Sequence, residues 1–250
     1  MGAPLKTALL ELADDHLILG HRISEWCGHA PMLEEDLAMP NMALDLIGTA
    51  RTLYDHAARL EGQGRSEDDL AYLRSEREYL NCLLVERPNR DFAYTMLRSL
   101  YFAALMAPYW RAAEASADEV VRGVAQKAGK EMAYHIRHAG EWVIRLGDGT
   151  EESARRMAEA VEDLHRYTPE LFEDSAAAAE CVEAGLLPAR AAVRPEWERT
   201  IAMVFDEAVL SAPEVAFPRT GGRNGVHGEE LGHLLAELQW AQRTYPGAQW

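Results

Sequence analysis

At 250 residues with 48% hydrophobic content, the chain is long enough for a real core and too apolar for disorder. Its formal charge of −16 leaves no basic footprint for nucleic acid or an anionic membrane. Cys27, Cys82 and Cys181 are odd in number and lack CxxC spacing, which excludes a disulfide framework or zinc site and suits reduced thiols in the cytoplasm.

Ala, Leu, Glu and Arg dominate while Val, Ile, Thr, Phe and Tyr are sparse, which favours helices over sheets. Glu11, Asp14 and Asp15 interrupt the first apolar stretch, so neither a signal peptide nor a spanning helix is expected. A first helix is predicted from about Pro4 to Trp26, with Leu5, Leu9, Leu12, His16, Leu19, Ile23 and Trp26 on one stripe. His16 on that stripe reads as a packed core histidine. A second helix covers roughly Glu34 to Leu60, with acids in its first turn and Pro40 as a kink or a later start. Leu37, Leu44, Ile47 and Tyr54 widen its apolar face, and a polar line through Asn41, Asp45, Thr49, Thr52 and His56 places Asp45 at least partly inside.

From Glu67 to Arg90 the pattern gives a short helix and an irregular, arginine-rich crossover, the long connection that a ferritin-like bundle uses. A third helix, Asp91 to about Ala117, holds no Asp or Glu between Phe92 and Ala113. A fourth runs from Asp118 to about Leu146, and Thr150 caps a fifth that reaches about Asp174. An alanine-rich helix near Ser175 to Gly185 and another opened by Pro195 follow. Pro213 to His227 reads as a mobile Gly- and Arg-rich connector. A last helix, Gly228 to Thr244, packs Leu231, Leu234, Leu235, Leu238 and Trp240. The fold class is all-α: one ferritin-like four-helix bundle over about 4–146 with C-terminal helical additions over about 150–250.

The candidate chemistry centres on the fourth helix. Glu131, His135 and His138 lie within about 40° of each other around a helix of 3.6 residues per turn, one face that suits a metal. A di-iron site in this fold takes a Glu from each of two helices and Glu-x-x-His from each of the other two. Here Tyr134 stands at i+3, the third helix offers no carboxylate, and Gly48 stands three residues after Asp45. The expectation is a metal-free polar network of Glu131, His135 and Asp45, with Glu131 pairing at i±4 to Lys127 and His135. The rival is an autonomous di-metal oxidase using Glu131, His135, His138 and Asp45. Glu230 and His233 form an isolated Glu-x-x-His, read as surface or capping residues. The glycines at 221, 222, 225 and 228 follow no strand and precede no Gly-Lys-Ser/Thr, so they are no P-loop, although Arg219 and Arg223 offer an anion two cations.

Several segments carry a resemblance. They are Glu25-Trp26-Cys27-Gly28-His29-Ala30-Pro31, then Leu44-Asp45-Leu46-x-Gly48, and Arg74-x-Glu76-Arg77-x-x-x-Asn81 with Leu83-Leu84-Val85-Glu86. Lys130-Glu131-x-x-Tyr134-His135-x-Arg137, Arg219-Thr220-Gly221-Gly222 and the ending Pro246-Gly247-x-Gln249-Trp250 complete the set. Together they resemble the PaaC family, found in bacterial phenylacetyl-CoA 1,2-epoxidases. The resemblance implies a ferritin-like, non-catalytic subunit without a cofactor of its own. Its expected partners are a catalytic subunit that holds di-iron and the other subunits of the complex, including a reductase. It also implies acyl-CoA contacts at Glu78, Tyr79, Leu80 and Asn81 and at Ala179, Glu180 and Cys181, while the missing ligands themselves make Asp45, Glu131 and His135 vestigial metal-site positions. A stand-alone acyl-CoA binding protein is a third alternative.

Overall fold

The computed structural model describes residues 2–248, and among these every regular element is helical. The family-like ending at Gln249 and Trp250 lies outside the described residues. Helix α1 (Gly2–Ser24) is buried along most of its length, acids included, so it is the centre of the molecule. A tight turn at Gly28 leads to α2 (Leu33–Glu61), and Pro40 sits inside this helix without starting it. Gly62, in the left-handed region at φ 67°, ends α2 with its N–H on Ala58 O.

The crossover holds α3 (Glu67–Tyr72), capped reciprocally by Ser66 and Asp69, a 3₁₀ turn at Glu76–Glu78, and α4 (Leu83–Glu86). Asp91 then caps α5 (Phe92–Ala113), buried almost all round. Its lack of acids follows from that position, because a carboxylate there would need a partner on every side. Arg98, its one deeply buried charge, donates to Arg87 O and to Asn89 Oδ1 and meets no carboxylate among the described residues; burial pushes its pKa down to about 10. Asp118 caps α6 (Glu119–Gly147), whose outer face stays polar.

The four long helices α1, α2, α5 and α6 form the bundle. Helix α6 runs antiparallel to α2: His56 meets Asp118, Asp45 meets His135 and Glu35 meets His138. The second half of the chain wraps this core. Thr150 caps α7 (Glu151–Leu164), which tightens into a 3₁₀ segment, His165–Phe172, instead of continuing to Asp174. Pro169 supplies no N–H to keep the α-ladder there. Then come α8 (Ala176–Glu183), α9 (Arg194–Glu207), α10 (Glu229–Leu238) and the short α11 (Trp240–Thr244).

Three expectations need correction. The last helix is broken at Gln239, whose amide donates to Arg74 O at 2.9 Å and to Tyr79 Oη at 3.1 Å, and Trp240 beyond it is exposed. Leu37 and Leu44 do not widen the buried face of α2 but stand in solvent. The segment before α10 is not a loose connector. Glu170 accepts from Leu83 N, Gly221 N and Gly222 N at 2.6, 2.8 and 2.7 Å, and Arg223 is buried. Gly222 and Gly225 lie so close to the crossover that a Cβ would overlap the carbonyl oxygens of Asn81 and Arg77. That is why glycine stands there.

Candidate functional site

Two polar networks run through the molecule. The first lies on the seam of α2 and α6. His135, buried, donates from Nε2 to Asp45 Oδ2 at 3.1 Å, and His138 donates from Nε2 to Glu35 Oε2 at 2.8 Å. Glu131 does not pair with His135. Its Oε1 turns to Lys127 Nζ at 2.8 Å, and its Oε2 is buried without a hydrogen-bond partner. An ammonium one turn earlier stabilises the carboxylate better than an imidazole already committed to Asp45. Tyr134, at the position where the metal motif has histidine, faces outward and stacks on His138 at 6.0 Å.

Deeper, His16 donates from Nδ1 to Leu12 O at 2.7 Å, which leaves Nε2 unprotonated and without a partner. Burial pushes its pKa down to about 4, so the ring is neutral. Its edge packs on Phe102 at 5.1 Å, the place of a core residue.

A di-iron centre does not fit this donor set. Among the described residues no three His, Cys, Asp or Glu side chains converge as a metal ion would need. Helix α5 brings no carboxylate, Glu131 is bound to an ammonium, and the acids of α1 point elsewhere. Glu230 joins Arg87 at 2.7 Å and His233 is exposed, so the isolated Glu-x-x-His builds nothing with the bundle.

The second network is the one that sequence reasoning missed. Glu11, Asp14 and Asp15 on α1 are buried, and each meets a buried arginine from far along the chain. Asp14 binds Arg74 and accepts from Tyr54 Oη at 2.5 Å and Leu80 N at 2.7 Å. Asp15 takes Arg223 through both terminal guanidinium nitrogens, Nη1 and Nη2, at 3.0 and 2.7 Å, plus Cys82 N at 2.7 Å. Glu11 pairs with Arg190 at 2.9 Å and accepts from Ser175 Oγ. Burial alone would lower the Arg223 pKa, but Asp15 beside it reverses the sign and holds it above its ordinary value. Arg223 is therefore a structural cation and not a ready anion site. Glu86 closes the network, accepting from Asn81 Nδ2 at 3.1 Å, Gly228 N at 2.7 Å and His227 Nδ1 at 2.9 Å. The other ring nitrogen of His227 meets Tyr79 O at 2.8 Å. Both partners are acceptors, so the ring is an imidazolium and its pKa is raised, the hydrogen bonds outweighing burial.

The seven expected acyl-CoA positions fall in two places. Glu78 is exposed and closes a capping box with Ser75, while Tyr79 and Asn81 are buried inside the second network. Tyr79 donates its hydroxyl to Ala71 O, and burial pushes its pKa up to about 12. Leu80 is half-buried and gives its N–H to Asp14. Ala179 and Glu180 lie on the outer face of α8, and Cys181 on the inner one. Both groups border α1: the first reaches it through Asp14, and the second sits on the helix that Ser175 fastens to Glu11.

The matching family model, described as phenylacetic acid catabolic protein, covers residues 2–250. The chain is also 42% identical over 241 residues to a subunit of the 1,2-phenylacetyl-CoA epoxidase of Escherichia coli (strain K12), a match over 96% of this chain and 97% of that protein.

Proposed function

The chain belongs to the phenylacetic acid catabolic protein family, and we propose that within it this chain is the non-catalytic, PaaC-type subunit of a phenylacetyl-CoA 1,2-epoxidase. In this reading it works in the cytoplasm, supports a partner subunit that holds di-iron, and acts together with a reductase. No described helix is long and apolar enough to cross a membrane.

The observation that carries the reading is the donor set. Where a ferritin-like oxidase spends its inward carboxylates on metal, this chain spends them on arginines, a lysine and histidines. A residue set so committed serves rigidity, which is what a supporting subunit needs.

An exposed face supports the same reading. Leu33, Leu37 and Leu44 are 71%, 61% and 65% exposed and lie within about 40° of each other around α2. Tyr134 on α6, 41% exposed, adds a further exposed apolar side chain beside the α2–α6 seam, where its neighbours His135 and His138 bind α2 directly. On α6 beside Tyr134, Lys130 and Arg137 are exposed in a chain of net charge −16, with Arg137 over the tyrosine ring and Lys127 held by Glu131. Burying each of these apolar side chains against a partner is worth about 1.5–3 kcal/mol. The exposed Lys130 and Arg137 on the α6 side favour an acidic partner surface there.

Co-expression with the catalytic subunit tests this directly. The expected outcome is a co-purifying complex in which phenylacetyl-CoA turnover needs both chains. The variant Leu37→Glu with Leu44→Glu loses the partner while its own thermal melt stays unchanged. Undiminished co-purification of that variant overturns the face. About two irons per isolated chain, lost on Glu131→Ala, would overturn the supporting role itself.

A further inference from the structure

A cleft of about 760 Å³ opens between the 3₁₀ segment His165–Phe172, one side of α9 and the coil that follows α9. It shares no residue with either polar network or with the seven acyl-CoA positions. Its size is that of a small-molecule site, which typically spans roughly 300–1,000 Å³.

The floor is aromatic and fixed. Trp197 donates from Nε1 to Tyr101 O at 2.9 Å and meets Phe172 edge-on at 5.3 Å. Phe205 and Ile201 complete it. The wall is held in place at both ends. Helix α9 ends with Val209 N–H on Asp206 O at 3.3 Å and Leu210 N–H on Phe205 O at 2.9 Å, a Schellman arrangement that needs the left-handed region at Val209, φ 56°. A β-branched residue there is strained, and backbone strain of this kind collects at binding sites. Farther along, Arg219 N–H donates to Arg166 O at 2.9 Å and returns the coil to the 3₁₀ segment. The wall is therefore preformed.

One polar group selects the ligand. The hydroxyl of Tyr101 is buried, and its one hydrogen-bond partner is His165 Nδ1 at 3.0 Å. A buried phenol keeps its proton and must donate it, so Nδ1 is the acceptor and the neutral ring carries its hydrogen on Nε2. Burial holds the His165 pKa below its ordinary value, in keeping with a neutral ring. No protein group among the described residues takes the Nε2 hydrogen bond. Arg194 gives its Nε to Glu198 at 2.8 Å and holds its guanidinium over Phe172, 5.4 Å from the ring centre, so with Asp206 the lining carries one net negative charge. An anionic ligand is disfavoured in such a place.

We infer that this cleft binds a neutral aromatic carbonyl compound of about two fused rings, its rings against Trp197 and Phe172 and its oxygen accepting from His165 Nε2–H. Naphthamide is the probe, with naphthoate and methylnaphthalene as the charged and acceptor-free comparisons, titrated calorimetrically into the full chain. Naphthamide is expected to bind saturably and about tenfold more tightly than either comparison, the worth of one hydrogen bond. His165→Phe should cost the same factor. Ala202→Trp, at an exposed position on the rim, should abolish binding, and it perturbs no core residue if His165→Phe folds poorly. Absence of saturable binding, binding unchanged by Ala202→Trp, or naphthoate binding as tightly as the amide would each overturn the inference.

Discussion

Replacing Arg223 with methionine tests whether the buried acids of α1 depend on their arginines. The guanidinium gives up two bonds to Asp15 at 3.0 and 2.7 Å, one to Leu80 O at 3.0 Å and one to Glu11 O at 3.3 Å. Asp15 keeps only Cys82 N–H, and with side chains 3% and 1% exposed no solvent replaces the loss. An uncompensated buried charge costs about 3–5 kcal/mol, a large part of the roughly 5–15 kcal/mol that holds a domain together. At about 2–4 °C per kcal/mol for a chain of this size, the melting temperature should fall by about 6–20 °C. The matched change Asp15→Leu should cost a similar amount, since it strands Arg223. Combining the two removes both charges and leaves Cys82 N–H and Leu80 O unpaired, about 1–3 kcal/mol each. The double variant should therefore be less destabilised than the sum of the singles by about 3 kcal/mol or more. Urea unfolding of the four proteins measures this. A single-variant loss below about 1 kcal/mol, or simple additivity, would refute the reasoning.

Two further outcomes are expected. The folded pKa of His227 is raised, so its contribution is complete below the ordinary histidine value near 6.5 and is lost as pH rises through the folded pKa. His16 has the opposite sign: its pKa is pushed down to about 4, so the neutral ring stabilises above about 6.5 and costs stability as pH falls toward 4. Unfolding free energy measured across pH should lose its alkaline decline in His227→Gln, and a decline that persists unaltered counts against the imidazolium. Val209→Gly should raise stability by up to about 1 kcal/mol, the relief of a left-handed β-branched residue less the entropy of glycine. A loss on this substitution, read by urea unfolding, would mean that Val209 is not strained.

Much of the fold was legible because helical periodicity is a local signal. The stripe through Leu5, Leu9, Leu12 and Leu19, the helix starts at Asp91 and Asp118 and the cap at Thr150 place the beginnings of these helices within a few residues. Periodicity says which side is apolar, not which apolar side is covered, so it points Leu37 and Leu44 inward although they face solvent. It is equally blind to pairing over distance. Asp15 and Arg223 are separated by 208 positions, and nothing near either marks it as half of a pair. The Gly- and Arg-rich composition that suggests a loose connector is what close packing on the crossover requires. On the α2 and α6 seam, the departure from Glu-x-x-His was visible, while the choice of Lys127 over His135 by Glu131 depended on Asp45 arriving from another helix.

The clasp between α1 and the end of the chain also sets an order of events during synthesis. Asp15 leaves the ribosome roughly 10–40 s before Arg223 at about 5–20 residues per second. Until then Asp15 lacks its cation, so the docking of α1 is weaker by about 3–5 kcal/mol and reaches full strength only when nearly the whole chain is out. A product truncated before Arg223 should therefore be less stable by at least that amount and be cleaved faster in limited proteolysis than the full chain.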